Sequence, residues 1–417
     1  MVAVRMMLQR AIAERYRETV ESRRVTIVNG PRQAGKTTLI TALAAGSAVE
    51  RLDDPATLEA ARRDPIGFVS GAGRPLIIDE IQLGGEDLIR AIKLAVDRDR
   101  TPGQFVLAGS ANFLTIPTIS ESLAGRAGFI DLWPFSQGEL AGRSDGFVDA
   151  VLDCDGDLAM LELAPVSQSE LFERLCAGGF PEVQRLPRSQ RGPWFRDYVR
   201  TVIERDVVEI SGLRKADELR QLLRLLAART GEELVMSHVV EDSALERQAV
   251  YAHRAWLEAV FLVSVLPAWS RNLTSRVKRR PKLVVADPGL AAWLLGKSPE
   301  SLSDHTDRSR GQLVETFVVG EIRRQLGWGR HEAAIYHWRD RDGREVDLVV
   351  EAADGRVVAI EVKAGSTPRP EWFRGLSLMR DALGDQLVAG IALYPGDRSR
   401  RFAERLVALP ISALWEL

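Results

Sequence analysis

Eight residues, Gly30-Pro31-Arg32-Gln33-Ala34-Gly35-Lys36-Thr37, carry the clearest chemistry in this 417-residue chain. They fit G-x-x-x-x-G-K-[ST], a loop whose backbone N–H groups can turn inward onto phosphate oxygens. Lys36 has the reach for β- and γ-phosphates, and Thr37 offers a hydroxyl to Mg²⁺. The apolar run Val25–Val28 supplies a strand before the loop, and Thr38–Leu43 is helix-competent after it. The context predicts a site for ATP and Mg²⁺.

Other strand-like runs must position that site. Arg74–Glu80 passes from apolar residues to two acids, as a buried parallel strand does at its ligand-binding carboxyl edge. Asp79 there would help hold Mg²⁺, and Glu80 would orient or polarise an attacking water. Ala48–Leu52 leads into Asp53-Asp54, and Gln104–Ser110 passes from apolar to polar, with Ser110 or the nearby Asn112 as the candidate to sense the γ-phosphate. Gly128–Leu132 closes the expected sheet. The extra strand between the loop and Asp79, together with a glutamate beside the metal-binding acid, favours ATP hydrolysis over small-molecule kinase chemistry.

A second set of reactive residues lies near the C-terminus. Arg344–Glu351 and Val357–Lys363 flank a turn containing Asp354-Gly355, the pattern of a hairpin. Val346, Leu348 and Val350 are read as one apolar face, and Val358, Ile360 and Val362 as its counterpart. Both sets bury on the same side only if even-numbered residues pair with even-numbered ones, which requires an odd-length loop. That register brings Asp347 close to Glu361 and Lys363. Converging charges of this kind are costly unless something satisfies them. Asp347 and Glu361 could supply oxygen ligands to Mg²⁺ or Mn²⁺, with Lys363 steadying charge or acting on a water. Arg339 could touch phosphate.

Between these regions the chain reads as helical from about 137 to 215, including Trp194–Asp206 as a charged connector helix. Residues 217–263 then alternate helical runs, Glu218–Thr230, Met236–Asp242 and Leu245–Phe261. Leu262–Leu266 and Lys282–Ala286 follow as strands, the rhythm of a helix-turn-helix with a wing. The basic run between them places Arg276, Lys278, Arg279, Arg280 and Lys282 where a wing would meet nucleic-acid phosphates. It has few aromatic residues for stacking on bases.

Composition limits the classes. The length suggests two or three domains, and 45% hydrophobic residues suffice for packed cores. A net charge of −2 gives no global case for nucleic acid. Two cysteines, Cys154 and Cys176, are too few for a disulfide framework or thiolate metal site. No long apolar stretch or signal-like start is evident, so a cytoplasmic protein without a membrane segment is expected.

Gly30–Thr38, Ile77–Gln82, Gly109-Ser110, Leu123–Arg126 and Pro134–Ser136 together resemble a prokaryotic AAA-type ATPase family whose C-terminal domain was long classed as of unknown function. The resemblance implies a sensor or finger role on the γ-phosphate for Arg126, and a ring or other homo-oligomer if it acts in trans. No separate helical lid with a second sensor arginine is visible. Asp347 with Glu361-Val-Lys363 resembles the PD-(D/E)xK nuclease superfamily, although Val346 replaces the usual proline. That pattern implies an upstream helical acid, for which Glu315 is suited.

The expected fold is α/β: a P-loop NTPase core with a parallel sheet (1–140), a helical connector (141–215), a winged-helix-like region (216–282) and a nuclease-like α/β domain (283–417). The expected function is ATP hydrolysis coupled to action on DNA, with metal-dependent cleavage. The rival is a nucleotide-switched interaction protein whose nuclease fold is catalytically silent.

Overall fold

The structure is a computed structural model, and it describes residues 9–44, 46–110, 123–154, 157–208 and 215–417. The chain forms two compact units. One comprises Met1–Phe135, Glu204–Leu213 and Ala259–Phe261, and the other Ser136–Ile203, Arg214–Glu258 and Leu262–Leu417.

In the first unit, β1 (Val25–Asn29) leads through the glycine-bearing loop into α1 (Lys36–Ala42). Then come β2 (Val49–Arg51), β3 (Leu76–Asp79), α2 (Gly85–Arg98), β4 (Phe105–Ala108) and β5 (Ala127–Asp131). The five strands form one parallel sheet in the order β2-β3-β4-β1-β5. β1, β3 and β4 are buried along their whole length, which explains why they read as unbroken apolar runs. On α2, Leu88, Ile89, Ala91, Ile92 and Val96 recur at helical spacing and enter the core cluster with Ile78 and Leu107. The strand placed between the loop and Asp79 by the sequence is β2, yet it lies at the sheet edge. The strand that separates β1 from β3 in space is β4.

The segment read as one connector helix is an α-helix over Arg188–Thr201 followed by a π-helical turn over Val202–Val207. Such turns are rare and concentrate at functional sites.

In the second unit, α3 (Ala216–Ala227), α4 (Met236–Ser243) and α5 (Arg247–Ala259) precede an antiparallel pair, β6 (Val263–Leu266) and β7 (Lys282–Val285). A short helix, Leu273–Lys278, replaces the open basic loop expected between the two strands. After α6 (Ser309–Gln325) come β8 (Ala333–Arg339), β9 (Glu345–Ala352) and β10 (Val357–Val362), then α7 (Arg374–Leu383), β11 (Leu387–Tyr394), β12 (Arg400–Ala403) and β13 (Leu406–Pro410). Their sheet runs β12-β13-β11-β10-β9-β8. β10 is buried throughout.

The hairpin register pairs even with even, Val358 with Val350 and Ile360 with Leu348. One expectation fails. Against β8, Tyr336 faces Val349 but Trp338 faces Val346, so β9 carries an extra residue between those valines. Val346 and Val349 enter the same core cluster, which strict alternation forbids. A bulge at Asp347-Leu348 resolves this, and bulges re-aim side chains beside functional sites.

Candidate nucleotide site and a second acidic cluster

Backbone geometry fixes the phosphate loop. Gly30 has φ +147°, and a Cβ there would stand 2.1 Å from the Leu132 carbonyl oxygen, so only glycine leaves β1 at this point. Gln33 and Gly35 also have positive φ, 60° and 99°. Pro31, Ala34 and Lys36 are buried, whereas Gln33 and Thr38 are exposed. The Lys36 ammonium donates to the carbonyls of Gly30 (2.8 Å) and Pro31 (2.9 Å). Burial lowers its pKa to about 8, against the pull of Glu80 and Asp79. These carbonyls hold the lysine across the loop.

Asp79, at the end of β3, comes to the start of α1: Thr37 Oγ1 donates to Asp79 Oδ2 at 2.6 Å. Burial raises the Asp79 pKa, and the Thr37 hydroxyl opposes it. A hydroxyl and a carboxylate meeting beside the loop are the hard-oxygen donors that Mg²⁺ prefers, so these residues fit that ion. Glu80 adopts a left-handed conformation, φ 54°. That turn directs its carboxylate to Gln82 Nε2 and, at 3.5 Å, to the Ser110 hydroxyl. Gln82 Nε2 also lies 3.4 Å from Ser110 Oγ. Asp79, Glu80 and Ser110 therefore meet across the carboxyl ends of β3 and β4. Asn112 lies outside the described residues.

Two arginine contacts at this loop had no sequence signal. Arg10 donates to the carbonyls of Ala34 (2.8 Å) and Trp133 (2.6 Å), with its guanidinium over the Phe135 ring. Arg32 was visible as a loop residue, but its partner was not. It binds Asp206 Oδ1 at 2.9 Å, 174 positions later and in the π-helical turn.

Arg126 is not near this loop. Ala127 pairs with Val25 at the start of β1, whereas the loop springs from its end. Arg126 thus stands a strand's length away, about 15 Å, and makes two bonds to Asp97, at 2.6 and 3.0 Å. The expected finger cannot act in its own site.

In the second unit, β9, β10, α6 and β7 assemble an acidic cluster. Asp347 Oδ2 accepts from the Val362 N–H at 2.7 Å. Glu361 pairs with the Lys363 ammonium, and its other oxygen, Oε2, is buried without a hydrogen-bond partner. Burial and Asp347 raise the Glu361 pKa. For Lys363, burial is outweighed by Glu361 and Asp347, so its pKa rises, the opposite of what a lysine base requires.

Lys282, expected at a wing surface, is in this cluster instead. Its side chain is 5% exposed, with Nζ 2.6 Å from Glu315 Oε1 and 3.8 Å from Asp347 Oδ1. Burial lowers its pKa, but Glu315 and Asp347 more than compensate, so it keeps its proton. Burial first, then Asp347, pushes Glu315 up to about 8. A metal does not fit the cluster as folded: no group of three His, Cys, Asp or Glu side chains among the described residues is placed to hold one, and both lysines already engage the carboxylates.

The remaining basic residues divide. Arg276 makes two bonds to Glu351 (2.5 and 2.7 Å) and lies over the Trp269 and Tyr336 rings, so it is structural. Arg279 donates to the Arg339 carbonyl, and the Arg280 carbonyl accepts from His337 Nε2. Lys278, Arg279 and Arg280 are exposed.

Residues 22–141 match a family described as an AAA domain. The first unit carries an AAA-type P-loop ATPase domain. Residues 168–301 and 310–414 match two families described as domains of unknown function, DUF8612 and DUF4143. Two curated relatives, the uncharacterized proteins Rv2008c of Mycobacterium tuberculosis and Mb2031c of Mycobacterium bovis, are each 27% identical over 405 residues, covering 96% of this chain and 83% of theirs. Among solved structures, a Walker-type ATPase of Pyrococcus abyssi is 15% identical with a TM-score of 0.40, covering 69% of this chain and 96% of its own. AMPPCP-bound DnaA from Aquifex aeolicus is 12% identical with a TM-score of 0.28, covering 59% and 86%. Neither likeness is close enough to carry a structural argument. No helix among the described residues is long and apolar enough to cross a membrane.

Proposed function

We propose that this protein is a Mg²⁺-dependent ATP hydrolase that works as a nucleotide-driven switch, with the second unit responding to the state of the first. The observation that carries this reading is the 2.6 Å contact between Thr37 and Asp79 beside Lys36. Lys36 would exchange the Gly30 and Pro31 carbonyls for phosphate oxygens, keeping its charge against the γ-phosphate. Thr37 and Asp79 would hold Mg²⁺, which would supply positive charge to offset that of the phosphates. Glu80, steered by Gln82 and Ser110, would orient the water. Arg32 and Asp206 would pass loop movement to the π-helical turn, which continues from the helix Arg188–Thr201.

The test is ATP turnover with Mg²⁺ or EDTA, using wild type and Lys36→Ala. Turnover in wild type that disappears in Lys36→Ala and in EDTA supports the reading; undiminished turnover in Lys36→Ala sinks it.

A second reading, metal-dependent cleavage of DNA, is favoured by the proximity of Asp347, Glu361 and Lys363 and by the exposed Lys278, Arg279 and Arg280. The ion pairs of both lysines weigh against it. Plasmid left intact by wild type with Mg²⁺ or Mn²⁺ would remove it, while cleavage lost in Asp347→Ala would establish it. A homo-oligomer in which Arg126 serves a neighbouring copy, and a cytoplasmic location, belong to the same proposal. The oligomer requires Arg126 to leave Asp97.

A further inference from the structure

We propose that Lys282 is the resident cation of the acidic cluster, standing between Glu315 and Asp347 where a divalent metal would otherwise bind. The inference concerns the second unit alone, is independent of the ATPase reading, and is tested without nucleotide.

Three observations support it. First, the ammonium reaches acids from two separate elements, Glu315 on α6 and Asp347 on the β9 bulge, at 2.6 and 3.8 Å. A single cation between carboxylates from different elements occupies the electrostatic position of a bridging metal. Second, its backbone is held on both sides. Lys282 pairs with Leu266 of β6 and bridges to Glu233, while the Leu283 N–H donates to the Glu232 carbonyl at 3.0 Å and its carbonyl accepts from the Gly231 N–H at 2.8 Å. The lysine is built into the cluster rather than folded over it. Third, charge balance leaves little for a metal to do. Lys282 already pairs with Glu315 and Asp347, and Lys363 with Glu361, while burial raises the pKa of both glutamates and so limits the negative charge left to attract an ion. A divalent ion would meet two ammonium groups in a buried space, a costly arrangement.

The orphaned Glu361 Oε2 marks the side from which a metal could enter once Lys282 is removed. Lys282→Met keeps the volume and deletes the charge, leaving carboxylates that need a partner. As folded the acids are not placed to hold a metal, but with the ammonium gone Glu315 and Asp347 are free to close on one, so this variant should acquire a Mn²⁺ site.

The experiment compares full-length wild type, Lys282→Met and Asp347→Asn by Mn²⁺ titration, read as loss of the free-ion electron paramagnetic resonance signal, and by melting in EDTA or MnCl₂. Expected are no stoichiometric difference between wild type and Asp347→Asn, binding at least roughly tenfold tighter in Lys282→Met, and a melting temperature in that variant that Mn²⁺ raises but EDTA does not. Wild type that binds one Mn²⁺ more than Asp347→Asn overturns the inference. So does a folded Lys282→Met that gains no Mn²⁺. Should Lys282→Met fail to fold, the comparison of wild type with Asp347→Asn decides: an extra equivalent refutes, and equality supports. ATP turnover is a separate measurement, so failure here leaves the switch reading where it stands.

Discussion

Replacing Gly30 with alanine should damage the nucleotide site more than any other single-methyl addition in the loop. The new Cβ would stand 2.1 Å from the Leu132 oxygen and 3.0 Å from its carbonyl carbon, both backbone atoms. Relief requires a shift of about 1 Å, since carbon and oxygen rarely approach within roughly 3.2 Å. The Leu132 N–H is itself bonded to the Asn29 carbonyl at 2.8 Å, so β1 and β5 must part where the loop begins. Overpacking of this kind costs about 1–3 kcal/mol, and a side chain forced to φ +147° adds about 1–3 kcal/mol. The sum, about 2–6 kcal/mol, corresponds to a melting temperature lower by on the order of 5–20 °C. Moving Gly30 also moves the carbonyl that holds Lys36 at 2.8 Å, so ATP affinity should fall at least about tenfold, equivalent to about 1.4 kcal/mol. The assay is a thermal melt with fluorescent-ATP titration, and Gly85→Ala serves as the control. Gly85 also has positive φ, 76°, but its Cβ would meet nothing within 4 Å; that variant should lose only the backbone strain, about 1–3 kcal/mol, and bind ATP normally. If Gly30→Ala melts with Gly85→Ala and binds ATP as wild type does, the close approach of loop and strand is wrong.

Three further outcomes are expected. Glu80→Gln should retain ATP binding but hydrolyse it about 10²–10⁴-fold more slowly, as measured by phosphate release with parallel binding titrations. Arg126→Ala should leave turnover per chain unchanged at low protein concentration and barely move the melting temperature, since an exposed ion pair is screened by solvent; lost activity that depends on protein concentration would show action in a neighbouring copy. His337, whose pKa burial lowers from 6.5 to about 4, resists protonation in the fold. The unfolded chain therefore binds more protons between those values, and stability falls as pH drops through that window. The loss is about 2 kcal/mol between pH 7 and 5. Melts of wild type and His337→Asn at the two pH values should differ by this amount, and parallel curves would refute the assignment.

Legibility followed burial. The strands of the first sheet were readable because buried parallel strands are continuous apolar runs, and Asp79 because the run ended there in acid. The β9–β10 register was readable from parity, since an odd loop alone buries both apolar sets. The bulge at Asp347-Leu348 escaped because alternation in β9 continues unbroken through Val346, Leu348 and Val350. Lys282 was misplaced for a related reason: in a run of arginines and lysines it reads as solvated, and only tertiary packing separates a 5%-exposed side chain from its exposed neighbours. Arg276 was misjudged likewise, tied to an acid distant in sequence, and the acid that holds Arg126 is also one that spacing does not reveal. Arg10 and Asp206 lie far along the chain from the loop they contact, and spacing cannot reveal such partners.

The bond between Arg32 and Asp206 gives the protein a schedule as well as a shape. Asp206 is made 174 residues after Arg32, an interval of roughly 10–35 s at common rates of synthesis. Throughout that time the nascent chain possesses every residue of its phosphate loop without the acid that restrains it. A fragment ending near residue 140 would remain permanently in that early state. Its nucleotide affinity would describe a stage in the protein's making rather than the finished molecule.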